Sequence, residues 1–110
     1  MADPNMKQLK IKTGVVKRLT KEKYSYEKEV VKQEEHIEKM KADGKDPYDI
    51  KKQGEVLDES KDMIPDTKRR LTKGLEDLQK YMEQADELKE TEEFQTAVTM
   101  CKEAVTALST

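Results

Sequence analysis

Between Asp46 and Ala85 the seam positions recur at alternating steps of four and three, through Ile50, Gly54, Leu57, Lys61, Ile64, Lys68, Leu71, Leu75, Leu78, Met82 and Ala85. A strand would alternate by two and a loop would keep no period, so the spacing predicts one long amphipathic helix. Pro65 stands in its middle. Proline removes one backbone donor and crowds the carbonyl four residues back, here that of Lys61, at about 3 kcal/mol or more. A loop at Pro65 would normally reset the phase, yet Leu57, Lys61, Ile64, Lys68 and Leu71 stay in step. The expectation is therefore a single helix over about residues 47–85, bent near Pro65 and on the order of 57 Å long.

The flanking chain supplies two further helices. Asp3-Pro4 pairs a capping carboxylate with a proline whose missing N–H has no partner in a first turn, so a helix is expected from about residue 4. Leu9, Val16, Leu19, Tyr26, Val30, Ile37 and Met40 hold heptad phase to about residue 42, interrupted by Lys12, Lys23 and Gln33. Ile11, Val15 and Val31 flank that seam and would widen it enough to meet two neighbours. Gly14 marks either drift on a long helix or a close approach by another backbone. Gly44 suits a left-handed terminal residue, and Asp46-Pro47 repeats the opening signal. So short a connection makes the two long helices antiparallel.

After Ala85 the phase slips. Phe94, Val98, Cys101, Val105 and Leu108 form a separate seam, which places a turn between Gln84 and Thr91, a cap at Thr91 and a shorter helix over about residues 92–108. The expected fold is all-α: one domain over residues 1–110, an elongated antiparallel three-helix bundle with spectrin-like, coiled-coil packing, two long helices and one shorter. With 34% hydrophobic and 42% charged residues the core is thin. Such stripes are buried either within one chain or by pairing a hairpin with a second copy, so monomer or homodimer stays open.

Little in the chain points to catalysis or cofactors. His36, the one histidine, sits among Glu34, Glu35 and Glu38 without further ligands at metal-binding spacing. Cys101, the one cysteine, falls on an apolar stripe with no base near it in sequence. The segment TGVVKRLTK lacks the second glycine and the Gly-Lys-Ser/Thr ending of a phosphate loop. Carboxylates spread along helix faces opposite lysines read as solvated pairs, and a thin bundle offers little pocket, so no enzyme is expected. The net charge of −2 gives no general field for nucleic acid. The start is nevertheless basic, with Lys7, Lys10, Lys12, Lys17, Arg18, Lys21 and Lys23 against Asp3 and Glu22. A helix on RNA or anionic lipid is the weaker reading of it, because it lacks an arginine run and interleaved aromatics. No window approaches the roughly 20 apolar residues of a membrane span, and the start MADPNMKQ carries no apolar signal, which places the chain in a reducing cytosol or nucleus. A protein partner is expected, with a coiled-coil adaptor or dimerisation module as the general alternative.

The blocks IKTGVVKRL at 11–19, KEK at 21–23, YEKE at 26–29, YDIKKQ at 48–53 and MIPD followed by RRL within 63–71 occur in an order and spacing that resemble the tubulin-binding cofactor A family. The resemblance runs from MADP onward, is strongest in the first two helices and is general in the third. It implies a cytoplasmic, cytoskeleton-associated three-helix bundle that captures β-tubulin released from the cytosolic chaperonin and holds it on the route to the α/β heterodimer. Other tubulin-folding cofactors are further partners it suggests, and it implies no cofactor and no metal. Carried onto the matching blocks, it assigns partner-binding roles to Lys12, Lys17, Arg18, Lys21 and Lys23 in the first helix and to Lys51, Lys52, Arg69 and Arg70 in the second. Gly54, where the family tends to carry Ala, departs from the pattern, and Cys101 belongs to no signature of the family.

Pro65→Ala is expected to straighten the second helix and raise stability by up to about 3 kcal/mol. A thermal melt checks it, and a lower melting temperature would count against it.

Overall fold

Three side-chain caps fix where the helices begin. In the structure, a computed structural model that describes residues 3–110, the Asp3 carboxylate accepts from the Asn5 N–H at 2.9 Å, Asp46 from the Tyr48 N–H at 2.8 Å, and the Thr91 hydroxyl from the Phe94 N–H at 3.2 Å. Each answers a backbone donor that the first turn leaves without a partner. Met1 and Ala2, the first half of the MADP start, lie outside the described residues. Helix α1 runs Pro4–Ala42, α2 Pro47–Gln84 and α3 Glu92–Leu108, with a short 3-10 turn at Asp86–Leu88 before α3. Gly44 closes the first connection at φ 68°, a conformation in which a Cβ is strained. Pro65 lies inside a continuous α2. The Lys61 carbonyl loses its helical donor there, on a stretch where both residues are exposed to solvent.

The helices pack up, down and up into an antiparallel bundle of 63 × 24 × 17 Å. At about 26 Å, α3 is less than half the length of α1 and covers only part of the hairpin. Where three helices meet, Leu9, Val16, Leu71, Leu78, Ala97, Ala104 and Ala107 are completely buried. Beyond α3, two helices alone leave Tyr26, Val30, Met40, Ile50, Leu57 and Ile64 half-buried on the same seams, and only Ile37 is fully enclosed. A helix pair shields one stripe on each member, and a third helix is needed to close the groove.

The interruptions of the α1 seam are cross-links or anchors. Lys12 reaches Asp77 of α2 at 2.7 Å. Gln33 donates to the Gln53 carbonyl at 3.0 Å and to its side-chain oxygen at 2.8 Å. Lys23 is wholly buried at the end of α3, where its ammonium donates to the Thr110 hydroxyl and pairs with Glu27. Two buried threonines facing the bundle, Thr13 and Thr20, are satisfied within α1, donating to the Leu9 and Val16 carbonyls at 2.7 and 2.8 Å.

Two expectations need correction. The buried line of α3 is Phe94, Ala97, Met100, Ala104 and Ala107, whereas Val98, Cys101 and Leu108 sit at its margin and Val105 is 50% exposed. Alanines carry little hydrophobic signal but allow backbones to approach, so the close contact falls on them and the bulkier residues border it. Of the residues flanking the α1 seam, Val15 packs against the core, its methyl near Gly74, while Ile11 and Val31 stay about half exposed. Gly14 borders open space, which leaves helix drift as its account and removes the close-approach reading.

A methyl group added at Gly14 or Gly54 meets nothing within 4 Å. Gly14→Ala and Gly54→Ala should each therefore raise stability by about 0.5–1 kcal/mol, and Gly44→Ala should lower it by about 1 kcal/mol. Urea midpoints check both signs.

Candidate partner-binding surface

The nine basic residues singled out by the sequence divide by environment. Lys23 leaves the set: a wholly buried ammonium, packed 5.0 Å from the centre of the Tyr24 ring and held by Glu27 and Thr110, presents no surface to a partner. Lys12 is largely committed, half-buried against Asp77 and 5.6 Å from the Tyr81 ring centre. Arg69 and Arg70 are exposed and share one carboxylate, Asp66, at 3.4 and 3.3 Å. Arg18 lies 3.7 Å from Glu22 and Lys52 lies 3.9 Å from Glu55. Lys17, Lys21 and Lys51 are exposed and stand in no ion pair among the described residues.

The contacts of Lys12 with Asp77 and of Gln33 with Gln53 set the register of the hairpin. They bring Arg69 and Arg70 to the level of Lys17–Lys21 and leave Lys51 and Lys52 about 25 Å further along the axis. The structure thus places five of these residues at one level along the axis and one pair nearer the Gly44 end. Exposed pairs such as Arg18–Glu22 are worth at most about 1 kcal/mol, so they hold the arginines loosely and release them readily.

Among the described residues no group of three His, Cys, Asp or Glu side chains is placed to hold a metal ion. His36 is exposed on α1. Cys101 is half-buried with its sulfur 3.8 Å from that of Met82, and desolvation raises its thiol pKa, the opposite of what a nucleophile needs. No helix is long and apolar enough among the described residues to cross a membrane.

An elongated bundle whose ionisable groups, Lys23 apart, lie mostly on its outer faces and whose thiol pKa is raised by burial has the build of a surface-binding protein. The chain belongs to the family described as Tubulin binding cofactor A, whose profile matches residues 4–101. It is 58% identical over 97 residues to the tubulin-specific chaperone A of Homo sapiens, covering 88% of this chain and 90% of that one. The solved tubulin folding cofactor A of Arabidopsis thaliana superimposes with a TM-score of 0.83 at 41% identity, covering 93% of this chain and 96% of that chain. A solved β-tubulin-binding post-chaperonin cofactor superimposes at 0.80 with 36% identity, covering 94% and 99% of the respective chains.

The burial of Lys23 was not legible in the sequence beyond its position on the seam, because Thr110, which covers it, comes from the far end of α3. Lys23→Ala should cost about 1–3 kcal/mol, leaving the Thr110 hydroxyl without its donor and the Glu27 carboxylate without its ion-pair partner, and thermal melts check it. The raised pKa of Cys101 means a smaller thiolate fraction at any given pH. Alkylation at pH 8 should therefore run more slowly in the folded protein than in urea, which mass spectrometry reads directly.

Proposed function

We infer that this chain is a tubulin-folding cofactor that binds β-tubulin after its release from the cytosolic chaperonin, acting stoichiometrically on the path to the α/β heterodimer. The observation that carries the reading is membership of the tubulin binding cofactor A family over nearly the whole chain, together with the likeness to a β-tubulin-binding post-chaperonin cofactor. The family is one of binding cofactors, so the chain acts by holding its client and not by catalysis. An outline of 63 × 24 × 17 Å suits this work, because it gives much surface per residue and keeps polar side chains free for contact. The cytoplasm, where the chaperonin releases its product, is the site of action. Contact falls on exposed basic positions, with Lys17 and Lys21 foremost, Arg18, Arg69 and Arg70 at the same level, and Lys51 and Lys52 as a separate pair.

Purified protein mixed with β-tubulin released from chaperonin should elute as a discrete complex in size-exclusion chromatography. Failure to retain either β-tubulin or its folding intermediate at low salt would sink this reading.

A further inference from the structure

Six of the seven lysines of α1 that stand in no ion pair among the described residues are aligned, Lys7 lying just outside their arc. Lys10, Lys17, Lys21, Lys28, Lys32 and Lys39 follow one another at steps of seven, four, seven, four and seven. At 100° per residue these positions fall within an arc of about 60°, forming a ridge about 43 Å long. Alternating sevens and fours average an eleven-residue period, which tracks a helix surface nearly straight, whereas a pure heptad winds around it. All six side chains are exposed, and none stands in an ion pair among the described residues.

Charge is sorted around α1. Glu22, Glu29 and Glu34 lie outside the arc, and within it the only acid is Glu35, at one edge. At the other end Glu93 of α3 borders the same depression as Lys10 without closing an ion pair. On α2, by contrast, Arg69, Arg70 and Lys52 each have a carboxylate alongside. Lys17 with Lys21 and Lys28 with Lys32 are like charges four apart, which destabilise a free helix. Midway along, Tyr24 and Val31 are 39% and 54% exposed and border, with Lys28, Lys32, Glu27 and Glu35, an open depression of about 660 Å³ whose own carboxylates leave its apolar floor, and not its rim, for a partner's apolar side chain. It lies next to the buried Lys23 that Thr110 covers, where α3 ends and leaves α1 bare.

We propose that this lysine ridge is the docking track for an acidic, amphipathic polypeptide segment of the β-tubulin client, laid along α1 with carboxylates on the lysines and an apolar side chain against Tyr24 and Val31. The proposal rests on the tubulin-binding reading above and specifies its surface. The unpaired cations supply complementarity to carboxylates. The aliphatic footing at Val31 favours a polypeptide over a nucleic acid, which would need aromatic stacking platforms along the track.

The test compares Lys17→Glu/Lys21→Glu/Lys28→Glu with Lys45→Glu/Lys73→Glu/Lys80→Glu, which makes the same change in net charge away from the ridge. Glu and Lys have similar helix propensities, circular dichroism checks the folds, and a Lys→Gln triple at the ridge serves if the reversal does not fold. Binding to β-tubulin is measured across a salt series. The ridge variant is expected to lose roughly tenfold or more in affinity and to show a flatter salt dependence, while the control stays within about twofold of wild type. Equal losses in both, or full binding by the ridge variant, would overturn the ridge and leave the tubulin reading standing. Wild-type protein that retains no β-tubulin overturns both. A 20-nucleotide single-stranded RNA bound as tightly as β-tubulin in the same buffer would overturn the polypeptide occupant.

Discussion

The antiparallel contact between α1 and α2 is what the rest of the structure depends on. Each of these helices is too polar to persist through a hydrophobic face of ordinary width, and each buries a narrow heptad stripe against the other. Their register is held by polar contacts that no neighbouring register would reproduce. Lys12 meets Asp77, Gln33 meets Gln53, and the Tyr81 hydroxyl donates to the Asn5 carbonyl at 2.8 Å. Leucines slide past one another at modest cost, but a half-buried amide or ammonium displaced by one turn loses its partner. These few contacts therefore fix register more than they add stability.

On that hairpin, α3 divides the bundle into two regimes. Where it lies, alanines at 97, 104 and 107 bring its backbone against both long helices and the leucines there are fully enclosed. Where it ends, the same seams continue with half-buried residues and with Tyr24, Val31 and Val56 exposed. The boundary is marked by Lys23, sealed between Tyr24, Glu27 and Thr110. A charged group at such a junction ties the third helix to the first at the point where packing gives out. The less enclosed half is also where opening costs least.

The surface repeats this asymmetry in charge. The chain as a whole carries −2, so total charge says nothing of attraction to an acidic partner. Positive charge is gathered without acids on one line of α1, whereas on α2 the arginines at 69 and 70 and Lys52 are paired with carboxylates, and it is the sorting on α1 that gives a nearly neutral protein a directional field.

The sequence by itself determined the helices, their caps and the antiparallel hairpin, because these depend on residues near one another in the chain. Asp3-Pro4, Asp46-Pro47, Gly44 and Thr91 act within a turn of where they stand, and an unbroken heptad phase through Pro65 is a local property of α2. The blocks that place the chain in its family are equally local. Only the tertiary structure decided which face of α3 is buried, since alanine is ambiguous until a neighbour approaches it and Val105 reads as core yet faces water. It alone removed Lys23 from the binding residues and separated the neutralised arginines from the free lysines. Burial and pairing depend on side chains brought from distant segments, and a lysine is written the same way whether it faces Thr110 or solvent.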